Sequence, residues 1–237
     1  MLCYNLLVKN IYYINFGSEN MFEKIKKTIF NNYKWFICFI CLILFLALAE
    51  DVFNHEIMNG DIIGYKFVST YLICNSLTPI IKIITWFGSA TCLLSLTLLL
   101  FITIKNKKTS LLIGINLVTI TILNQLLKFV LQRPRPTEFK IINETGYSFP
   151  SGHSMISMAF YGFLIYLIYK NVKNKYLKTF LISFLSILII MIGISRIYLG
   201  VHYTSDVCAG FLVSISYLVL YINFANKLVF EKEKNEE

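Results

Sequence analysis

Six near-continuous apolar stretches decide most of what this chain can fold into. They run over residues 35–52, 83–104, 111–131, 153–169, 177–199 and 207–224. A helix rises about 1.5 Å per residue, so about 20 residues cross roughly 30 Å of hydrocarbon. Backbone amides need partners there, which only helices or closed barrels supply. A barrel would alternate apolar and polar residues in segments of about ten, and these blocks do not. The expected fold is all-α, a polytopic membrane helix bundle with six transmembrane helices. Apolar residues make up 57% and charged residues 15%, against roughly 45–50% and about 25% in soluble domains. That balance excludes a disordered chain and a small disulfide scaffold, and it disfavours a soluble enzyme.

Lys and Arg set the orientation. With the N-terminus in the cytoplasm, 15 of the 22 cations fall on the inner side, with 6 of the 13 acids. The other seven cations face seven acids. The whole +9 surplus thus lies inside, as the positive-inside rule requires. The charge has its explanation in the membrane, and no nucleic-acid partner is expected. Both termini are placed in the cytoplasm, as an N-terminal segment over 1–34 and a tail over 226–237.

Three segments need separate comment. Residues 51–83 form the longest connection, and its 62–80 part is too polar to cross the bilayer and too apolar for water. It reads as an interfacial helix followed by a turn near Pro79, able to roof the outer end of the bundle. The first twenty residues lack a pattern, and Met21 opens a more typical basic segment, so translation from either Met1 or Met21 fits. Ala47-Leu48-Ala49 resembles a processing site, but a retained first helix is expected. Cys38 and Cys41 have a C-x-x-C spacing inside an apolar run, where small buried side chains are expected rather than zinc or redox chemistry.

The polar residues of 124–206 are the informative ones. Asn124, Lys128, Gln132 and Arg135 recur at helical spacing and could share a face. Lys128 and Arg133, taken alone, read as flanking cations that snorkel to headgroups; Arg135, fixed between Pro134 and Pro136, suits an anion site better. Pro150-Ser151-Gly152-His153 opens the fourth span. A helix start offers free N–H groups to an anion, and Gly152 lets an oxyanion approach without a Cβ in the way. Between the last two spans come Ser195, Arg196, His202 and Asp206. A helix from Val201 would put His202 and Asp206 on one face, the carboxylate holding one ring nitrogen and leaving the other to attack. Arg196 needs an anion, and no nearby carboxylate besides Asp206 is evident. Together these residues form an anion site with a nucleophile and an acid. A metal site would want more His, Cys or carboxylate ligands, and no metal or cofactor is expected.

The stretches KFVLQRPRP, PSGH and SRIYLGVHYTSD give the chain a resemblance to the type 2 phosphatidic acid phosphatase (PAP2) superfamily of membrane lipid phosphatases. Its signature reads K-x6-R-P, P-S-G-H and S-R-x5-H-x3-D, and all three parts are intact and in order. The likeness covers about 35–225, which would be the catalytic domain. It implies His202 as nucleophile, oriented by Asp206, and His153 as proton donor to the leaving alcohol. It implies a phosphate clamp of Lys128, Arg135 and Arg196 with the backbone of Ser151 and Gly152. Spacing alone leaves open which histidine attacks; the Asp206 partner favours His202. The expected activity is metal-independent hydrolysis of phosphate or diphosphate esters of membrane lipids at the outer face, through a phosphohistidine. Undecaprenyl diphosphate, phosphatidylglycerophosphate and phosphatidic acid are the candidate substrates. A lipid or anion transporter is the alternative, weakened by the absence of inverted repeats.

Overall fold

The computed structural model describes residues 32–54, 58–137 and 140–233. The expectations for Met1 and Met21, for most of the 1–34 segment and for the end of the tail lie outside the described residues. Eight helices are described: α1 (Asn32–Phe53), α2 (Asn59–Tyr71), α3 (Thr78–Trp86), α4 (Ala90–Thr103), α5 (Lys107–Leu131), α6 (Gly152–Asn171), α7 (Lys175–Tyr198) and α8 (Thr204–Glu233). Among the described residues, α1, α5, α6, α7 and α8 are long and apolar enough to span a bilayer, and α3 with α4 makes a sixth, broken span.

The starts of these helices follow local chemistry. Asn106, Ser151 and Asn174 each accept a hydrogen bond from a backbone N–H in the first turn of α5, α6 and α7, which satisfies donors the helix cannot. Most large residues on the outward faces stay exposed, among them Phe39, Leu98, Phe129 and Phe180. An apolar surface of this extent needs a non-aqueous surrounding, and the fold is that of a multi-pass membrane protein.

Helix α6 packs against α5, α7 and α8. Small residues let the backbones approach. A Cβ at Gly162 would meet Leu218 Cδ1 at 2.6 Å, and one at Gly210 would stand 3.1 Å from Ser151 O. Phe160, Phe163, Leu93, Ile113 and Ile192 fill the space between.

Two expectations need correction. The second span is not one helix over 83–104: α3 and α4 meet at 47°. The break sits at Phe87–Ser89, where Tyr161 donates to the Phe87 carbonyl at 2.7 Å and a Cβ at Gly88 would lie 2.8 Å from Ile192. Close packing bends the span there. A helix stands in this connection as α2, but the turn precedes Pro79. Pro79 instead opens α3, where its missing N–H costs nothing. The cysteines at 38 and 41 are unpaired thiols, Cys41 being buried.

Candidate active site

One end of the bundle gathers the C-termini of α1, α5 and α7 and the N-termini of α6 and α8. Helix α5 ends at Leu131 because Gln132 takes a left-handed conformation, φ 44°, uncommon for a side chain with a Cβ. The chain then runs off the helix axis, so Arg135 does not continue the face of Asn124 and Lys128. Asn124 is buried and donates to Pro150 O at 3.3 Å. Gln132 turns away and donates to Phe129 O. Arg135 arrives from an extended segment tied to the next motif: Ser148 N–H donates to Arg133 O at 2.8 Å, and Ser148 Oγ to Pro134 O at 2.9 Å.

Helix α8 begins at Thr204, so His202 lies in the loop before it rather than on its first turn. The pair still meets, with His202 Nδ1 3.2 Å from Asp206 Oδ2. On the other side of the ring, Arg135 Nη1 stands 3.2 Å from Nε2. A guanidinium only donates, so Nε2 accepts and Nδ1 carries the hydrogen that faces Asp206. That is the tautomer with its lone pair towards the cations. Burial pushes the His202 pKa down to about 4; Asp206 opposes this, while Arg196 and Arg135 add to it. The imidazole is neutral at pH 7.

The three cations converge on one loop. Lys128 Nζ donates to Tyr147 O at 2.8 Å. Arg135 donates to Thr145 O and Gly146 O, each at 3.0 Å. Arg196 Nη2 meets Glu144 Oε1 at 2.6 Å. Four successive residues, 144–147, thus hold all three. His153, in the first turn of α6, lies within electrostatic range of Arg196, His202, Lys128 and Arg135, and its Cδ2 packs beside Gly88. Ser151 is spent differently from expectation: its N–H donates to Asp206 O at 3.0 Å and its hydroxyl caps α6. Gly152 heads α6 with Asn124 against it.

Four residues of this site escaped the sequence reading. Glu144 is the partner that Arg196 lacked. Burial would raise its carboxyl pKa, but the hydrogen bond and charge of Arg196 outweigh this and hold it below the ordinary range. Thr85 of α3 accepts from Arg196 Nη1 at 2.7 Å, while Arg196 Nε is buried without a partner among the described residues. Arg133 does not snorkel. It bridges Asp206 and Asp61 of α2. A polar Thr inside an apolar span was the signal for Thr85; the demand of Arg196 for an anion was the signal for Glu144. Among the described residues no three His, Cys, Asp or Glu side chains group as metal ligands.

Comparison with known proteins bears on this geometry. The model of the PAP2 superfamily matches residues 107–230, slightly over half of the chain and all three motif segments. The chain belongs to the PAP2 superfamily. This PAP2 protein is 34% identical to phosphatidylglycerophosphatase B of Bacillus subtilis (strain 168) over 116 residues, 48% of its own length and 56% of the relative's. It thus spans little more than half of that relative. It is 27% identical to an undecaprenyl-diphosphatase of Sulfolobus acidocaldarius over 204 residues, covering 80% of this chain and 91% of the other. In fold it resembles the crystal structure of a transmembrane PAP2-type phosphatidylglycerolphosphate phosphatase from Bacillus subtilis. The TM-score is 0.72 at 27% identity, covering 81% of this chain and 98% of that one. Aquifex aeolicus LpxE shares the PAP2 fold at TM-score 0.54 and 22% identity, covering 67% of this chain and 92% of that one.

Proposed function

We propose that this PAP2 protein hydrolyses phosphate or diphosphate esters of membrane lipids through a phosphohistidine on His202. The observation that carries the reading is the neutral imidazole held at Nδ1 by Asp206, with Nε2 facing Arg135 inside a cluster of three cations. Lys128, Arg135 and Arg196 bind the phosphoryl oxygens, joined by the N–H of Gly152. Their fixed charges match the charge spread over the equatorial oxygens during transfer. Nε2 attacks phosphorus, the ester P–O bond breaks, and His153 gives its proton to the leaving oxygen. The charge of the bound phosphate favours the protonated form of His153. His153 then takes a proton from water, whose oxygen attacks the phosphohistidine to release orthophosphate and restore His202.

A lipid substrate fits the surroundings. A groove of about 750 Å³ runs along α5 past Ile122, Leu126 and Phe129 to Lys128 and Tyr147. Its apolar side chains lie on the exposed face of α5, so a chain can lie there while its phosphate reaches the cations. The names of the relatives point to phosphatidylglycerophosphate and undecaprenyl diphosphate as the first substrates to test. With both termini on the Lys-rich side, the site faces the extracytoplasmic surface.

Purified protein in detergent is expected to release phosphate from at least one of phosphatidylglycerophosphate, undecaprenyl diphosphate and phosphatidic acid, with the rate unchanged in EDTA. Loss of activity in EDTA, restored by Mg²⁺, contradicts the reading. The pH profile gives a second check. His202 attacks only when neutral, so its protonation removes activity as pH falls through about 4. After correction for the substrate's own ionisation, kcat/KM, which reports the free enzyme, is expected not to fall between pH 7 and 5 and to drop as pH passes through about 4. A limb at pH 6.5 would place the nucleophile in a far wetter site than this one.

A further inference from the structure

Helix α2 reaches the nucleophile through a chain of buried charges. Arg133 Nη1 donates to Asp206 Oδ1 at 2.6 Å, and Nη2 to Asp61 Oδ2 at 2.7 Å. Asp61 also accepts from Ser205 N–H at 2.7 Å and from Ser205 Oγ at 2.8 Å. Its carboxylate therefore satisfies a free donor in the first turn of α8, where negative charge is favoured. Arg133 Nη1 reaches Ser205 Oγ at 2.7 Å, and the guanidinium lies over the Tyr203 ring, 4.1 Å from its centroid. Asp61 is 5% exposed, Arg133 10% and Asp206 0%.

Both oxygens of Asp206 are committed. Oδ1 takes Arg133, while Oδ2 takes His202 Nδ1 and the Tyr203 N–H at 2.9 Å. A carboxylate free to rotate would exchange its two oxygens and let the imidazole tilt. With Oδ1 pinned, only Oδ2 can face the ring. Arg133 also lessens the negative charge of Asp206, and Asp61 balances Arg133, so the three groups together carry a net charge of −1. Asp61 and Arg133 bond to Asp206 and Ser205 rather than to the 144–147 loop that holds the three cations. With His202 itself, both line a cavity of about 690 Å³ between α2 and the loop before α8.

We propose that Asp61 and Arg133 are positioning residues: a carboxylate–guanidinium–carboxylate chain from α2 that fixes Asp206 and, through it, the attacking geometry of His202. The proposal rests on the phosphatase reading above. It gives α2, which lies before the family-matched stretch 107–230, a part in the reaction without touching substrate. The depth of the contact depends on Gly64, since a Cβ there would land on Thr204 Oγ1 and push α2 from the start of α8.

The test is steady-state kinetics of Arg133→Gln and Asp61→Asn on a lipid phosphate that the unaltered protein hydrolyses, with His202→Ala as the blank. Loss of an outer partner of a reacting group costs roughly 10–100-fold. Arg133→Gln is expected to lose about that factor in kcat with KM within about twofold. Asp61→Asn is expected to lose less, and the double variant less than the product of the two. Guanidinium ion added to Arg133→Ala is expected to restore part of kcat, which a merely structural role would not allow. Gly64→Ala changes no charge and is expected to lower kcat in the same KM-neutral way, which serves if the charge variants fail to fold. A folded Arg133→Gln protein with unaltered kcat overturns the proposal. So does one whose loss lies wholly in KM, which would make Arg133 a substrate clamp. Either result leaves the phosphatase reading standing, because the unaltered protein is active in both; an inactive unaltered protein removes that reading first.

Discussion

Replacing His202 with alanine is expected to lower turnover by roughly 10⁴-fold or more, the scale seen when a nucleophile is removed from a site that acts as a unit. Binding should survive. Lys128, Arg135 and Arg196 take none of their charge from the imidazole, and the ring is only one of the partners of Arg135. A non-reacting lipid phosphonate should therefore bind the variant within a few-fold of the unaltered protein. The same variant tests the covalent step. Label from a ³²P-lipid, trapped under conditions that preserve a phosphoramidate bond, should appear on the unaltered chain and be absent from His202→Ala. Label retained on the variant would move the nucleophile elsewhere, with His153 the first residue to examine.

Arg196 carries the second large effect. It is 1% exposed, with Nη1 on Thr85, Nη2 on Glu144 and Nε buried without a partner among the described residues. A buried donor without a partner costs stability, so an unsatisfied Nε in this cluster fits a donor kept for an incoming oxyanion. Arg196→Lys keeps the charge and loses the fork. It is expected to lose about 10²–10³ in kcat, the range found when one preorganised oxyanion donor is removed. Restoration of only a small part of the Arg196→Ala deficit by lysine would show that geometry matters beyond charge. Equal rates for the lysine variant and the unaltered protein would show that Arg196 acts as a distant charge and not as a donor to the phosphoryl group.

The six apolar stretches were legible because hydrocarbon imposes a length and a composition that few other settings demand. The motif residues were legible because each group occupies a short window, so that spacing alone hints at a shared face. What was not legible depends on contacts between distant parts of the chain. Arg133 resembles any cation at a helix end until Asp206, 73 residues later, and Asp61, 72 residues earlier, close on it. Glu144 sits in a polar loop with no periodicity and becomes informative only when Arg196 arrives from 52 residues away. The bend at Phe87–Ser89 combines packing against Ile192 and Tyr161 with the Ser89 cap of α4, a Gly-Ser signal overlooked inside an apolar block. Pro79 misled in the opposite direction, since proline begins helices as readily as it ends them.

The loop 144–147 has a consequence for how the pocket fills. Its carboxylate pairs with Arg196 and three of its carbonyls accept from Arg135 and Lys128, so the resting cations already have acceptors, though only one of the three charges is paired by the loop. On the proposed reading, an arriving phosphate displaces these acceptors and does not meet vacant donors. Uptake would then be an exchange of hydrogen-bond acceptors, and so would product departure: as orthophosphate leaves, the backbone and Glu144 return to the vacated donors. Three cations strong enough to hold a transferring phosphoryl group would otherwise retain the free ion just as tightly. On that reading, the loop lets the same charges act on the reaction and then let go.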